Sequence, residues 1–537
     1  MQHLPGRSLR RLFLLVLLAT CACHRQRAPA AGPGAIVRIA LPGRPASEAE
    51  SAATAIEHAC ARVEHLTKLR SASEDGAATV WLELEPNEDA DAALRGAQAC
   101  VRDARATLPL EAGTPWVARA PGPVVARWVW SGAVPRVELG ELLEEAHESL
   151  AQIAGVASVG ECGKARRRIL VDADARKLAA FGLTVPDLVA AVTSSSRAAG
   201  GAPPPGASGP VDALEEIPVD AKGPVPVRLR DVATVQDGAE DDACTAFDGT
   251  TFVAETVVRA RMDADAASVA KALTAKMAEL GRALPATIAV RPFAAARVLT
   301  VDPTLGMDPR EARQIAEVAR PVAGGAMVLE FGATDPREPA HGARLLLAAG
   351  DDATAEHVLQ ALRALPLVRS AGEPNAAMIL ASPDRSKLDA AARELATRLG
   401  PQVVERVGMN ELGEPEARID EAMAKRLGVP VEDVRTVLAA NRGVPAGTWS
   451  SGAISVPLAV RAKSSLEDRF VRGTAGFVPV SAMVVMTTEP RPVTALHDGQ
   501  FPAVELRVEA RDPGTLRSLW APPAGVSLRV DPIAPAR

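Results

Sequence analysis

The chain has 537 residues and no tyrosine, and only 3% of its residues are aromatic. That scarcity speaks against a substrate pocket walled by aromatic rings. There is no excess of positive charge either. The net charge is −6 with both signs interspersed, which excludes the basic stripe that nucleic acid requires. After residue 20, no apolar run approaches the ~18–20 residues that a membrane-crossing helix needs. The body holds no Cys-x-x-Cys, so a redox or zinc motif has no support. There is no G-x-S-x-G elbow and no phosphate-binding loop, and nothing else in the sequence points to an enzyme. No cofactor and no metal site are expected.

What is present is enough for several domains at ~100–200 residues each. Hydrophobic residues make up 47% of the chain, ample for their cores. The N-terminus reads as a targeting segment. Arg7, Arg10 and Arg11 precede the apolar run LFLLVLLA at 12–19, followed at once by Cys21 and Cys23. A basic start and an apolar stretch of this length form a secretory signal. Small residues and then Cys resemble a bacterial lipoprotein signal, with Cys21 or Cys23 as the lipidated residue; an ordinary cleaved signal peptide is the alternative. Residues 24–35 read as a flexible tether.

Four cysteines remain, Cys60, Cys100, Cys162 and Cys244. An even number in an exported protein permits disulfides. Cys60 and Cys100 fall on two predicted helices that should pack side by side. Cys162 falls in a predicted hairpin and Cys244 just before a strand. The favoured pairing is Cys60–Cys100 and Cys162–Cys244, with four isolated buried thiols as the alternative.

The chain repeats itself. RILVDADARKLAAFGLTVPDLVAAV at 168–192 is answered by ARIDEAMAKRLGVPVEDVRTVL at 417–438. Aligned on Gly182 and Gly428, Asp174 falls on Asp420 and Asp187 on Asp433, each 246 residues apart. FDGTTFVAETVVRAR at 247–261 is answered by HDGQFPAVELRVEAR at 497–511. A spacing near 250 residues far exceeds the ~20–50 of a solenoid and marks a duplicated half. Each copy reads strand, Asp, short helix, Gly turn, second helix. Asp174 and Asp420 are expected to cap strand-to-helix junctions. Gly182 and Gly428 should close the first helix with positive φ, and Asp187 and Asp433 should sit near the start of the second. His58 and His65 are read as one solvated face of a helix running to about residue 64.

The order of elements is α+β, in split βαβ units. Those parts resemble the periplasmic porter region of resistance–nodulation–division (RND) efflux transporters. In the first unit the resemblance lies in PGRPAS at 42–47, Glu57, RSASEDG at 70–76 and the LP at 108–109. In the second it lies in 153–192 and in RLRDVATVQDG at 228–238. In the C-terminal half it lies in RIDEAMAKRLGVPVEDVRTVL, FVPVSAM and the DG before a strand. The resemblance implies four ferredoxin-like subdomains in two pseudo-repeated halves, at 36–120, 121–293, 326–401 and 402–537. The second carries a shortened docking insertion, and 294–325 is expected as a linker where the family places membrane helices. It further implies a transport-associated protein of the cell envelope, not proton-driven on its own, that binds a ligand or a transport partner through the porter cleft. A lipoprotein scaffold without ligand and the periplasmic part of a split pump are the alternatives. Implied partners are a membrane-fusion protein, an outer-membrane channel or further copies of the chain, with the membrane reached through the lipid anchor. Met378, Met409, Met483 and Met486 are the thioethers a soft-metal path would use, and are read as core filling.

Overall fold

The computed structural model describes residues 32–533 except 42–43, 45, 110–111, 199–209, 221–224, 242–243, 304–308, 332–342, 410–415, 442, 452–453 and 488–493. The expectations for Cys21, Cys23 and the tether before residue 32 lie outside the described residues.

The fold is α+β. Four runs of chain each go strand–helix–strand–strand–helix–strand. In the first, the strands are Gly34–Ala40, Leu66–Glu74, Ala77–Leu84 and Trp116–Arg119, with helices Ala46–Cys60 and Ala90–Ala104. The sheet order is fourth, first, third, second, all antiparallel. The same order recurs in the second run, with strands Val124–Gly132, Val156–Cys162, Thr251–Ala260 and Ile288–Pro292. It recurs in the third, with Arg297–Pro303, Met327–Phe331, Ala343–Leu347 and Val368–Gly372. It recurs in the fourth, with Ala376–Ala381, Val403–Val407, Phe501–Val508 and Ser527–Pro532. One face of each sheet is apolar and packs on its own helices, as in Ala77–Leu84, where Ala78, Val80, Leu82 and Leu84 are buried in the first core.

Several sequence expectations change here. Residues 294–325, read as a linker, carry the strand Arg297–Pro303 and the helix Pro309–Ala319. Leu299, Val301, Ile315 and Ala316 are fully buried in the third core. The prolines of this stretch, which read like those of a linker, stand at element ends: Pro303 closes the strand and Pro309 opens the helix, where a missing N–H costs nothing. The strand Ala376–Ala381, assigned to the third unit, opens the fourth and pairs with Phe501–Val508. The expected hairpin around 156–172 does not form: Val156–Cys162 pairs with Thr251–Ala260, whereas Ala165–Ala173 pairs with Ala233–Asp241.

Two short strands join the units in pairs. Thr245–Asp248 lies between the second and third units, paired with Thr251–Ala260 on one side and Met327–Phe331 on the other. Ala495–Asp498 lies in the same way between the fourth unit and the first, beside Phe501–Val508 and Leu66–Glu74. Each is a copy of the other in the duplicated sequence. Two nine-stranded sheets result.

The disulfides are Cys60–Cys100, with Cα atoms 5.0 Å apart, and Cys162–Cys244, with Cα atoms 4.8 Å apart. The first ties the two helices of the first unit. The second ties the end of Val156–Cys162 to the start of a bridging strand, and Gly163 N donates to Cys244 O at 2.9 Å beside it.

Candidate functional site

Each half carries an insertion between the second and third strands of a unit, and these insertions hold the first repeat. In the first, Ala165–Ala173 leads to Asp174, whose carboxylate accepts from the N–H groups of Arg176 and Lys177, both at 3.1 Å. In the second, Glu416–Ile419 leads to Asp420, which accepts from Met423 N at 2.9 Å. Gly182 and Gly428 follow with φ of 70° and 65°. Asp187 lies in the first turn of Val185–Ala198 and accepts from Thr184 N at 2.8 Å. Asp433 lies in the first turn of Val431–Ala439. These two helices pack side by side. Burial, and then the charge of Asp187, raise the carboxyl of Asp433 above its ordinary range. The structure thus brings the repeat residues of the two halves together, as packing and capping groups.

The second insertion reaches into the first. Ile454–Arg461 adds to Ala165–Ala173 as a parallel strand, fixed by Arg461, whose Nε and Nη2 donate to the two oxygens of Asp172 at 2.7 Å each. The hairpin Phe470–Gly473 and Gly476–Pro479 touches both glycine turns. Arg472 donates to Gly182 O at 2.7 Å, and Thr474 N donates to Leu427 O at 3.1 Å. Between the insertions lies an open groove of about 450 Å³, lined by Asp172, Asp174, Arg176, Lys463, Ser464 and Asp468. Its walls are charged, and Arg176 crosses it to Asp468 at 3.4 Å.

The seams between units are charged as well. Where the third and fourth units meet, Arg406 donates to Asp302 at 3.1 Å and Ser370 Oγ donates to Val404 O at 2.9 Å. At the seam of second and third units, Arg127 pairs with two fully buried carboxylates, Glu255 and Glu330. Burial, and then repulsion from Glu330, push Glu255 well above the carboxylate range. Burial works against ionisation of Glu330 also, but Arg127 and Arg344 more than offset it and hold it low. At the seam of fourth and first units, burial is opposed by Arg70 and then Arg507, which bring Glu505 to about 2. Glu255 and Glu505 are duplicates, 250 residues apart.

In the strand that bridges the fourth unit and the first stands His497, whose duplicate is Phe247. Phe247 sits in an apolar core against the helix Pro309–Ala319. His497 instead sits between two glutamates of Ala46–Cys60, with Nδ1 2.9 Å from Glu57 and Nε2 2.8 Å from Glu50. Burial lowers its proton affinity, yet the bonds and charges of Glu50 and Glu57 outweigh burial and raise it to about 9. It is therefore an imidazolium at neutral pH and donates from both nitrogens. Sequence reading did not single out this triad or Glu255 and Glu505. The signal for Glu255 and Glu505 was a carboxylate at the same place in two largely apolar duplicate strands.

The thioethers are not one cluster. Met378 and Met409 belong to the fourth unit's core, Met483 to the core shared by the insertions, and Met486 is exposed. Among the described residues no helix is long and apolar enough to cross a membrane.

A doubled α+β frame with joined sheets and paired insertions defines the class of protein. A sequence model of the AcrB/AcrD/AcrF family matches residues 28–301, half of the chain, and the chain belongs to that family of RND-type transporters.

Proposed function

We propose that this chain is a porter-type member of the RND family that works in the cell envelope, with four ferredoxin-like subdomains in two pseudo-repeated halves, bounded near 34–119, 124–292, 297–372 and 376–532. It binds a transport partner through the surfaces between its units and does not itself transduce a proton gradient. The observation that carries this reading is the family match over 28–301 joined to the strand order that recurs in the other half. The Arg406–Asp302 ion pair and the Ser370 hydrogen bond that fill the seam favour a protein partner over an apolar drug-like ligand. Anchoring through Cys21 or Cys23 belongs to the same proposal. Proton coupling in such transporters needs ionisable groups held inside the membrane, and those are the partner's contribution here.

The test is affinity purification of the tagged chain from its native envelope, with the co-purifying proteins identified. Recovery of a membrane-fusion protein, an outer-membrane channel or a membrane-spanning transporter subunit supports the proposal. Recovery of the chain alone, under conditions that retain a known envelope complex, contradicts it.

A further inference from the structure

The helix expected to carry both His58 and His65 stops at Cys60. His65 lies beyond it, in the turn before Leu66–Glu74, with φ of 58°. Among the described residues it alone combines a side chain with positive φ. For a histidine this conformation is uncommon and must be held by its surroundings. Glu85 N donates to His65 O at 3.0 Å, and Glu88 N donates to Glu85 O at 3.1 Å. These bonds fix the turn before the second strand against the turn after the third.

The consequence is a set of three side chains facing one point. His65 Nδ1 is 3.5 Å from Glu85 Oε2 and 3.7 Å from Glu88 Oε1. The three atoms all lie within 4.8 Å of one another. Such separations are long for hydrogen bonds. Metal bonds of ~2.0–2.2 Å in tetrahedral geometry set ligands roughly 3.3–3.6 Å apart; the His65–Glu85 separation already matches, and Glu88 reaches the same point by a small side-chain rotation. Beside the set runs a groove of about 330 Å³, whose lining includes His65, Glu88, Arg62, Glu64, Arg95 and Asp103. Arg95 is turned to Asp89 at 3.3 Å. The groove runs between the two helices joined by Cys60–Cys100, and the three side chains themselves lie at the surface, Glu88 the most buried of them.

We propose that His65, Glu85 and Glu88 bind one divalent cation of the zinc class, with the remaining coordination position open to the groove. One imidazole and two carboxylates suit Zn²⁺, whereas Mg²⁺ and Ca²⁺ prefer oxygen alone and Cu⁺ prefers sulfur. The site is independent of the transport reading. Bound metal ties the two ends of a strand pair and stabilises the first unit by mass action.

The experiment titrates ZnCl₂ into the untagged, metal-stripped mature protein by calorimetry and follows Co²⁺ uptake by its visible absorption. The expected result is one equivalent bound, with a tetrahedral Co²⁺ spectrum and a Zn²⁺-dependent rise in Tm. His65→Asn keeps a residue that tolerates positive φ, and Glu85→Gln with Glu88→Gln leaves the backbone alone. Each should weaken binding on the order of tenfold or more and abolish the Tm rise, with circular dichroism unchanged. No uptake by the wild type overturns the proposal. So does equal uptake, with the same spectrum, by wild type and both variants.

Discussion

At the scale of the residue, the buried charges say most. His497 and its duplicate Phe247 show one fold position solved in two ways, by an ion triad and by an apolar ring. A histidine whose folded affinity is raised to about 9, against ~6.5 unfolded, contributes stability that is complete below the unfolded value and is lost as pH rises through the folded one. Denaturant melts at pH 7, 8.5 and 10 should show the wild type weakening over that window, and the doubly substituted His497→Phe, Glu57→Leu protein weakening less. Equal slopes would contradict the triad. His497→Phe alone strands Glu57 in the interior and should cost about 3–5 kcal/mol. The duplicated glutamates make a second prediction. Burial and Glu330 disfavour the charged form of Glu255, so Glu255→Gln should cost only about 1 kcal/mol, less than the matching change at Glu505. Glu505 is ionised between Arg70 and Arg507, so Glu505→Gln should cost about 3 kcal/mol. The contribution of Glu505 is present above its unfolded value of ~4.3 and disappears as pH falls toward about 2. A reversed order of the two costs would refute the assignment.

At the scale of the element, the two glycine turns share a conformation and differ in surroundings. A Cβ at Gly182 would meet nothing within 4 Å, whereas one at Gly428 would lie 2.3 Å from Thr474 Cγ2. Gly182→Ala should therefore cost about 1–2 kcal/mol for the left-handed backbone alone, and Gly428→Ala more, because the Thr474 side chain must also give way. Equal losses by chemical denaturation would contradict this packing. The disulfides close loops of 40 and 82 residues, each contributing roughly 4 kcal/mol in the chain-entropy model. Peptide mapping without reduction should find both, and free thiols at any of the four positions would contradict them. Much of this scale was legible in the sequence. The Asp–helix–Gly–helix copies, the cysteine pairs and most helix cores followed from caps, periodicity and spacing. The strand Leu66–Glu74 was not legible, because RSASEDG is polar although Ser71 and Ser73 are buried in the sheet. Nor was the strand at Arg297–Pro303, since prolines at element ends look the same as prolines in a linker. The placement of His65 was missed because helical periodicity carries past the residue where the helix stops.

At the scale of the whole molecule, duplication decides the architecture. Two halves with the same strand order are joined through bridging strands that are copies of each other, so that the second unit shares a sheet with the third and the fourth with the first. Sequence showed the duplication but not this pairing, which depends on contacts more than 400 residues apart, such as Arg70 with Glu505. The insertions then meet and bury one core between them. That joined body is the central claim, and native-state hydrogen exchange tests it most directly. Paired on both edges, Thr245–Asp248 and Ala495–Asp498 should exchange as slowly as the neighbouring strands Thr251–Ala260 and Phe501–Val508 and far more slowly than the hairpin at 470–479. Exchange of the two bridging strands at the rate of that hairpin would contradict the joined sheets.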